Sequence, residues 1–281
     1  MLDYLPHQMA ILNLLRVKYS VKHFEQIEQS FLKIPRHEFV PRFSPDRWRW
    51  FDVNPETISR HLDQLYADTT LLLFEDDEYV STISQPTLVL AMLDLLDVMP
   101  GQRIFELGTG SGWNAAMLGD LTGPSGSVKS FEIIPEMVKR ARRCLTKFNL
   151  PQVEILDQDA LEGLKQWPAF DRGIFTAGAY DLNPILFEKI KDQGKLLFVL
   201  KTSQVDLLLV LQKEDDHFSE LERVYCTFVN VTGKEAPGAN SSLDALSSAG
   251  KLKIYLKNLS PSIGTGFEGQ YCRYITEEHG G

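Results

Sequence analysis

Three glycines at alternate positions, Gly108, Gly110 and Gly112, follow the apolar run Ile104, Phe105 and Leu107, and Glu106 stands two residues before the first of them. Glycine accepts positive φ and lets a backbone approach a ligand closely, so this loop can turn sharply out of a strand and expose its amides. A helical pattern begins at Trp113, and the free N–H groups of a helix start favour anionic or polar groups. Val128–Glu132 reads as the next strand and ends in an acid about 20 residues after the loop, where a doubly wound fold sets a carboxylate on a ribose. A dinucleotide fingerprint needs its third glycine at 113, which is Trp113. The pattern points to a nucleotide-type cofactor on a different loop; an ordinary strand–helix turn is the plainer alternative.

Ser84, in Ser81-Thr-Ile-Ser-Gln-Pro86, is the second candidate. It precedes the helical run Thr87–Leu96, whose leucines and methionine at 88, 92, 93, 95 and 96 form one broad apolar face. Pro86 suits the first turn, and Ser84 as the N-cap is the structural alternative to a chemical role. No Ser–His–Asp pattern accompanies Ser84, so its chemistry would be orientation by a hydrogen bond rather than covalent attack.

The elements that must carry these residues follow from periodicity. Residues 5–34 read as two helices, and the two prolines of Ile34-Pro-Arg-His-Glu-Phe-Val-Pro41 end the second and force an extended segment. Residues 42–60, with Arg47-Trp-Arg-Trp-Phe51, read as an irregular insertion. A surface loop packing its tryptophans is expected there, with a peptide-substrate contact as the alternative. Tyr66–Phe74 includes a strand, and Glu75-Asp-Asp-Glu78 is an acidic turn. From residue 103 strands and helices alternate: strand 103–107, helix 113–121, strand 128–132, helix 135–148, strand 153–156, a short helix near 160–166, strand 171–176, helix 182–190 and strand 195–200. This implies a doubly wound α/β fold with a mostly parallel sheet. Asp206–Lys213 and Glu222–Val231 lie too close for a parallel crossover and are expected as an antiparallel edge hairpin. Thr232–Ser248 is loop-like, Lys251–Leu256 alternates as a strand, Gly264–Gly269 reads as flexible, and Glu277–Gly281 as frayed.

The chain has 281 residues, 43% hydrophobic and 24% charged, which is ordinary for a globular protein. A net charge of −9 argues against a broad nucleic-acid footprint. Cys144, Cys226 and Cys272 are odd in number and far apart, so buried free thiols are expected, with no disulfide framework, zinc knuckle or other metal site. Residues 1–20 hold Asp3, His7, Asn13 and Arg16 among their apolar positions, with no signal-peptide h-region. A cytoplasmic protein without a membrane span is the expectation.

Glu106-Leu-Gly-Thr-Gly-Ser-Gly112 resembles the acidic glycine-rich loop of class I S-adenosylmethionine-dependent methyltransferases. Together with Ile34–Pro41, Tyr66-Ala-Asp68, Thr82-Ile-Ser-Gln-Pro86 and Phe170–Ala177, in that order, it resembles the protein-L-isoaspartate (D-aspartate) O-methyltransferase family across residues 23–230. The resemblance implies a seven-stranded class I methyltransferase fold with three parts: an N-terminal helical, substrate-side segment 1–80, a cofactor-binding core 81–231, and a C-terminal extension 232–281. It implies that Ser84 meets the acceptor carboxylate with Thr82 beside it. Glu106, Leu107, Gly108, Thr109, Gly110 and Gly112 would hold the methionine portion of the cofactor, Glu132 the ribose and Ile133 the adenine. Asp159, beside Ala160, would meet the adenine amino group, and Thr176 with Ala177 would border the cleft.

Two departures fall on the substrate side. Leu72–Val80 lacks the family's glycines and carries four carboxylates, and Tyr225–Val231 replaces its Arg-Phe-Val-Pro-Leu segment. Methylation of an isoaspartyl or aspartyl carboxylate in a protein or peptide is therefore the expected activity, with S-adenosylhomocysteine as co-product. Tailoring of a ribosomally made peptide, RNA methylation on the same fold and a non-catalytic cofactor-binding adaptor are the alternatives. A carboxylate with a reference pKa near 4 is already the nucleophile at neutral pH and needs no base. Holding it about 3 Å from the methyl group, in line with the departing sulfur, is the main task left to the protein.

Overall fold

The computed structural model describes residues 3–203, 205–230, 243, 245–246, 250–258 and 266–276. In chain order the first elements are α1 (Leu5–Lys18), α2 (Phe24–Lys33), β1 (Arg42–Phe43), β2 (Phe51–Asp52), α3 (Leu62–Leu65), β3 (Leu71–Glu75), β4 (Val80–Ile83) and α4 (Pro86–Leu96). Next come β5 (Arg103–Leu107), α5 (Trp113–Thr122), β6 (Ser127–Glu132), α6 (Pro135–Leu145), β7 (Val153–Asp157), α7 (Ala160–Gly163), β8 (Phe170–Phe175) and α8 (Pro184–Lys189). The last are β9 (Ile190–Leu200), β10 (Asp206–Glu214), β11 (His217–Cys226), β12 (Leu252–Leu256), β13 (Gly266–Glu268) and β14 (Cys272–Thr276). Packing divides the chain into two units, Met1–Gln102 with Thr109–Asp157 and Arg103–Gly108 with Gln158–Gly281.

In the first unit α1 packs on α2 and α4, and α2 on α5. Pro6, Pro86 and Pro135 occupy the first turns of α1, α4 and α6, where a missing N–H costs nothing. Helix α6 is amphipathic: Met137, Val138, Ala141 and Cys144 are buried, Glu136 lies in its first turn, and Arg142 and Arg143 lie in its last. Val138 and Ala141 join Ala115 and Ile155 in one apolar cluster. Strands β6 and β7 pair in parallel, Val128–Glu132 against Val153–Asp157. Strands β3 and β4 form an antiparallel hairpin. Its acidic turn is closed by Asp76, which accepts the amides of Glu78 and Tyr79 at 2.9 and 2.7 Å.

The 42–60 segment is better ordered than expected. Strands β1 and β2 pair through Arg42–Asp52 and Phe43–Phe51, and the Phe43, Phe51 and His61 rings pack together. Its tryptophans do not both pack: Trp48 is 88% exposed. Asp46 accepts the amides of Trp48 and Arg49, which closes a turn with Trp48 at its tip.

In the second unit the strands run β5–β8–β9–β10–β11–β12–β14–β13. The β5–β8 and β8–β9 pairs are parallel and the rest antiparallel. This unit alone has eight strands among the described residues, so the antiparallel part extends well beyond the edge hairpin of a seven-stranded sheet. Leu196–Leu200 and Leu207–Leu211 are continuous buried apolar runs, as interior strands require.

Several elements differ from expectation: Arg36–Phe39 turn as a 3-10 helix rather than running extended, since only the flanking prolines resist helical geometry, α6 ends at Leu145 rather than 148, and α8 is Pro184–Lys189 rather than 182–190. Strand β9 starts at Ile190 rather than 195, but its register against β8 jumps from Ile190 to Lys195. The second hairpin strand is His217–Cys226, not 222–231. Its polar start is satisfied inside: buried Glu220 accepts Arg223 at 2.5 and 2.6 Å and the Leu252 amide at 3.0 Å. Phe228 has left the ladder, its amide bonded to Asp206 at 2.7 Å.

The C-terminal strand expected at 251–256 is β12, while β13 and β14 occupy sequence with weaker signals. Part of the segment expected to be flexible is therefore strand, at 266–268. Asp181 anchors it from a distance, accepting the Tyr271 amide and the Tyr274 hydroxyl at 2.5 Å each. The expectations for 232–242, 247–249, 264–265 and 277–281 lie outside the described residues. Cys144 and Cys272 are buried, but Cys226 is only half-buried, and all three are free. Among the described residues no helix is long and apolar enough to cross a membrane.

Candidate active site

The glycine loop leaves β5 and passes from the second unit to the first at the Gly108–Thr109 peptide bond. Gly108, Gly110 and Gly112 have φ of +93°, +50° and +84°, values that side-chain-bearing residues rarely adopt. Each unit contributes a separate set of contacts.

In the first unit the Gly110 amide donates to Glu132 Oε2 at 2.8 Å. Glu132 Oε1 accepts the amides of Ile133 and Ile134 at 2.9 and 3.0 Å. Burial pushes the Glu132 carboxyl up, against the three amides that favour its charged form, with Asp157 adding to the rise. A carboxylate offers about four lone-pair sites, so three amides leave one for a hydroxyl. Thr109 is tied to β6 through its amide to Phe131 O at 3.1 Å and its hydroxyl to Ser130 Oγ. A Cβ built on Gly110 would stand 3.4 Å from Thr82 O and 3.6 Å from Ser81 Oγ. The loop and the Thr82-Ile-Ser84 segment are thus neighbours, while Ile133 is half-buried beside Glu132.

Ser84 does not cap α4. The N-cap is Gln85 and makes no side-chain cap bond; the Thr87 amide and hydroxyl are instead accepted by Asp68, at 2.9 and 2.8 Å. Asp68 also accepts Gln85 Nε2 at 3.0 Å and Lys18 Nζ at 2.7 Å. The Ser84 carbonyl accepts Arg36 Nη2 at 3.0 Å. Ser84 Oγ makes no hydrogen bond among the described residues. Local capping rules missed Asp68 and Arg36, although both stand in segments, Tyr66–Asp68 and Ile34–Pro41, that mark the resemblance.

In the second unit Glu106 is fully buried and Leu107 nearly so. The Thr176 hydroxyl lies 3.0 Å from Leu107 O and also bonds Gly108 O. A Cβ on Gly108 would come 2.5 Å from Thr176 Oγ1, so the loop leaves no room there for any other residue. With its proton turned onto those carbonyls, Thr176 braces the loop. Asp159 caps α7, accepting the Leu161 amide on Oδ1 at 2.8 Å; its Oδ2 makes no hydrogen bond among the described residues. Ala160 is buried in the same turn.

In the first unit the positive-φ Gly110 and Gly112 and the acceptor position left on Glu132 suit the polar groups of S-adenosylmethionine; in the second, Asp159 Oδ2 is a carboxylate oxygen without a hydrogen bond among the described residues. Among the described residues no group of three metal-ligating side chains forms.

The family model for protein-L-isoaspartate(D-aspartate) O-methyltransferase matches residues 7–236. The chain is 33% identical over 212 residues to the protein-L-isoaspartate O-methyltransferase of Methanopyrus kandleri, covering 75% of this chain and 84% of that protein. It is 32% identical over 202 residues to the one of Methanocella arvoryzae, covering 72% of this chain and 96% of that protein. A solved protein-L-isoaspartate O-methyltransferase superposes with a TM-score of 0.68 at 20% identity, over 96% of this chain and 88% of that one. A Plasmodium falciparum structure in complex with S-adenosyl-L-homocysteine gives 0.62 at 18% identity, over 80% and 98%. The likeness in structure extends to the class I methyltransferase α/β fold. The chain belongs to the protein-L-isoaspartate(D-aspartate) O-methyltransferase family.

Proposed function

We infer that this protein transfers a methyl group from S-adenosylmethionine to the free α-carboxylate of an isoaspartyl residue, whose β-carboxyl carries the peptide bond, in a protein or peptide. Family membership supports the reaction, and the observation that carries the residue assignment is the free hydroxyl of Ser84 beside the glycine loop's neighbour Thr82. When bound, S-adenosylmethionine supplies an electrophilic methyl group on a sulfonium centre, and S-adenosylhomocysteine is the co-product. The acceptor carboxylate is ionised at neutral pH and attacks without a general base. Ser84 Oγ donates one hydrogen bond to it and turns its other oxygen toward the methyl group, with Thr82 two residues earlier on β4. Glu106 to Gly112 hold the methionine portion, Glu132 takes the ribose, Ile133 packs on the adenine and Asp159 Oδ2 accepts its amino group, next to Ala160. Thr176 keeps the loop in shape from below.

The three parts, 1–80, 81–231 and 232–281, are proposed as substrate-side segment, cofactor-binding core and extension. The substrate is a polypeptide rather than a nucleic acid, in keeping with a net charge of −9. The setting is cytoplasmic, where three free cysteines stay reduced. Titration calorimetry with S-adenosylmethionine, followed by S-adenosylhomocysteine release on an isoaspartyl peptide, an aspartyl peptide and RNA, tests the reading. Turnover on the isoaspartyl peptide is expected; binding without turnover on any of the three would leave an adaptor, and turnover on RNA alone would overturn it.

A further inference from the structure

Arg36 is a fully buried guanidinium. It donates to the carbonyls of Leu65, Thr69 at 3.1 Å and Ser84 at 3.0 Å, with Ile83 O at 3.5 Å. Desolvation lowers its pKa to about 9, opposed by Tyr66 and Asp68, so it stays charged at neutral pH. Its Nε has no partner among the described residues. From the other side Asp68 takes the Thr87 amide and hydroxyl and the Gln85 amide group. The turn 83–87 is therefore held by its carbonyls on a cation and by its donors on an anion, both fifteen or more positions away in sequence. None of its own side chains caps α4, and the Ser84 hydroxyl is the group left unused.

We propose that Arg36 and Asp68 are positioning residues for methyl transfer: together they fix the backbone of residues 83–87 so that Ser84 Oγ faces the acceptor carboxylate. The proposal rests on the assignment of Ser84 made above. A plain structural role would need neither group in this form. A local N-cap would secure the helix start with one serine or aspartate, whereas here two groups orient the residue before it. The planar guanidinium fork reaches carbonyls of the 65–69 turn and of the 83–84 strand end at once, which a single lysine nitrogen cannot do. Backbone orientation error at a reacting group is expressed mainly in kcat, because a misplacement of about 1 Å can cost on the order of a hundredfold.

The test compares Arg36→Lys, Asp68→Asn and Asp68→Ala with the wild type. On an isoaspartyl peptide Arg36→Lys should lower kcat by about tenfold or more, with S-adenosylmethionine affinity changed by less than about twofold. Asp68→Asn keeps an acceptor for the Thr87 amide and should retain more kcat than Asp68→Ala. Amide hydrogen exchange should quicken at Thr87, whose amide Asp68 accepts, while Phe131 and Glu132 stay protected. Wild-type kcat and wild-type exchange in the variants would overturn the proposal, as would an equal loss of kcat and cofactor affinity. If Arg36→Lys does not fold, the Asp68 pair decides. If the wild type does not act on the isoaspartyl peptide, the substrate reading falls, and the exchange data still decide whether the two residues hold the turn.

Discussion

The Gly110 amide donates to Glu132 Oε2 at 2.8 Å, so the acid expected on the ribose also sets the shape of the loop expected on the methionine portion. In Glu132→Gln the side-chain amide can still accept from Ile133 and Ile134 through its oxygen, but its NH2 then faces the Gly110 N–H, donor against donor. A lost bond to a charged acceptor costs about 1.5–3 kcal/mol. S-adenosylmethionine affinity should therefore fall roughly tenfold to hundredfold by calorimetry. An unchanged dissociation constant would remove Glu132 from the cofactor site.

Gly110→Val should weaken cofactor binding by about tenfold or more in a protein that still folds. At φ +50° a Cβ costs about 1–2 kcal/mol, and a β-branched one is stiffer still. The obstacle is the backbone conformation more than space, since the nearest atoms to an added Cβ are at 3.4 and 3.6 Å. Wild-type affinity in a folded variant would contradict the loop assignment.

Ser84→Ala should leave the melting temperature nearly unchanged, because Asp68 and not Ser84 satisfies the start of α4. Its kcat should drop roughly tenfold to hundredfold for the loss of about 1.5–3 kcal/mol of hydrogen bonding to a charged acceptor. Cofactor affinity should hold. Wild-type turnover by the variant would refute the orienting role.

Glu38 predicts an acid-side loss of stability. His37, with Nε2 3.6 Å away, lowers its carboxyl most; burial opposes this, and Lys147 lowers it further, to about 2. A folded pKa below the unfolded value near 4.5 contributes stability that is present above that value and is lost as pH falls toward about 2. The side chain is 35% exposed, so solvent trims the effect. Thermal melts between about pH 5 and 3 should show a smaller fall in Glu38→Gln than in the wild type; parallel curves would contradict the ion pair.

What could be read from the sequence was what short-range chemistry decides. The strand 103–107 and the turn at Gly108 to Gly112 follow from an apolar run and from glycines, which adopt positive φ most readily. Glu132 was legible as an acid ending a strand, but not as the acceptor of Gly110, 22 positions earlier. The N-cap alternative for Ser84 rested on a serine standing just before a proline-started helix; a carboxylate 19 positions before Thr87 takes that role. Arg36 reads as an ordinary charged residue until the chain brings Leu65 and Ser84 to it. Likewise β13 and β14 depend on antiparallel partners and on Asp181, some 90 positions before Tyr271, and carry little local signal of their own.

The central claim is methyl transfer to an isoaspartyl carboxylate, and two peptides that differ only in an isoaspartyl or a normal aspartyl linkage test it most directly. Each is incubated with the protein and S-adenosylmethionine, and the methyl ester is located by mass spectrometry while kcat/KM is measured. The expected result is a methyl ester on the free α-carboxyl of the isoaspartyl residue, with kcat/KM far above that for the aspartyl peptide. Esterification of the aspartyl peptide alone, or of neither by a protein that binds the cofactor, would contradict it.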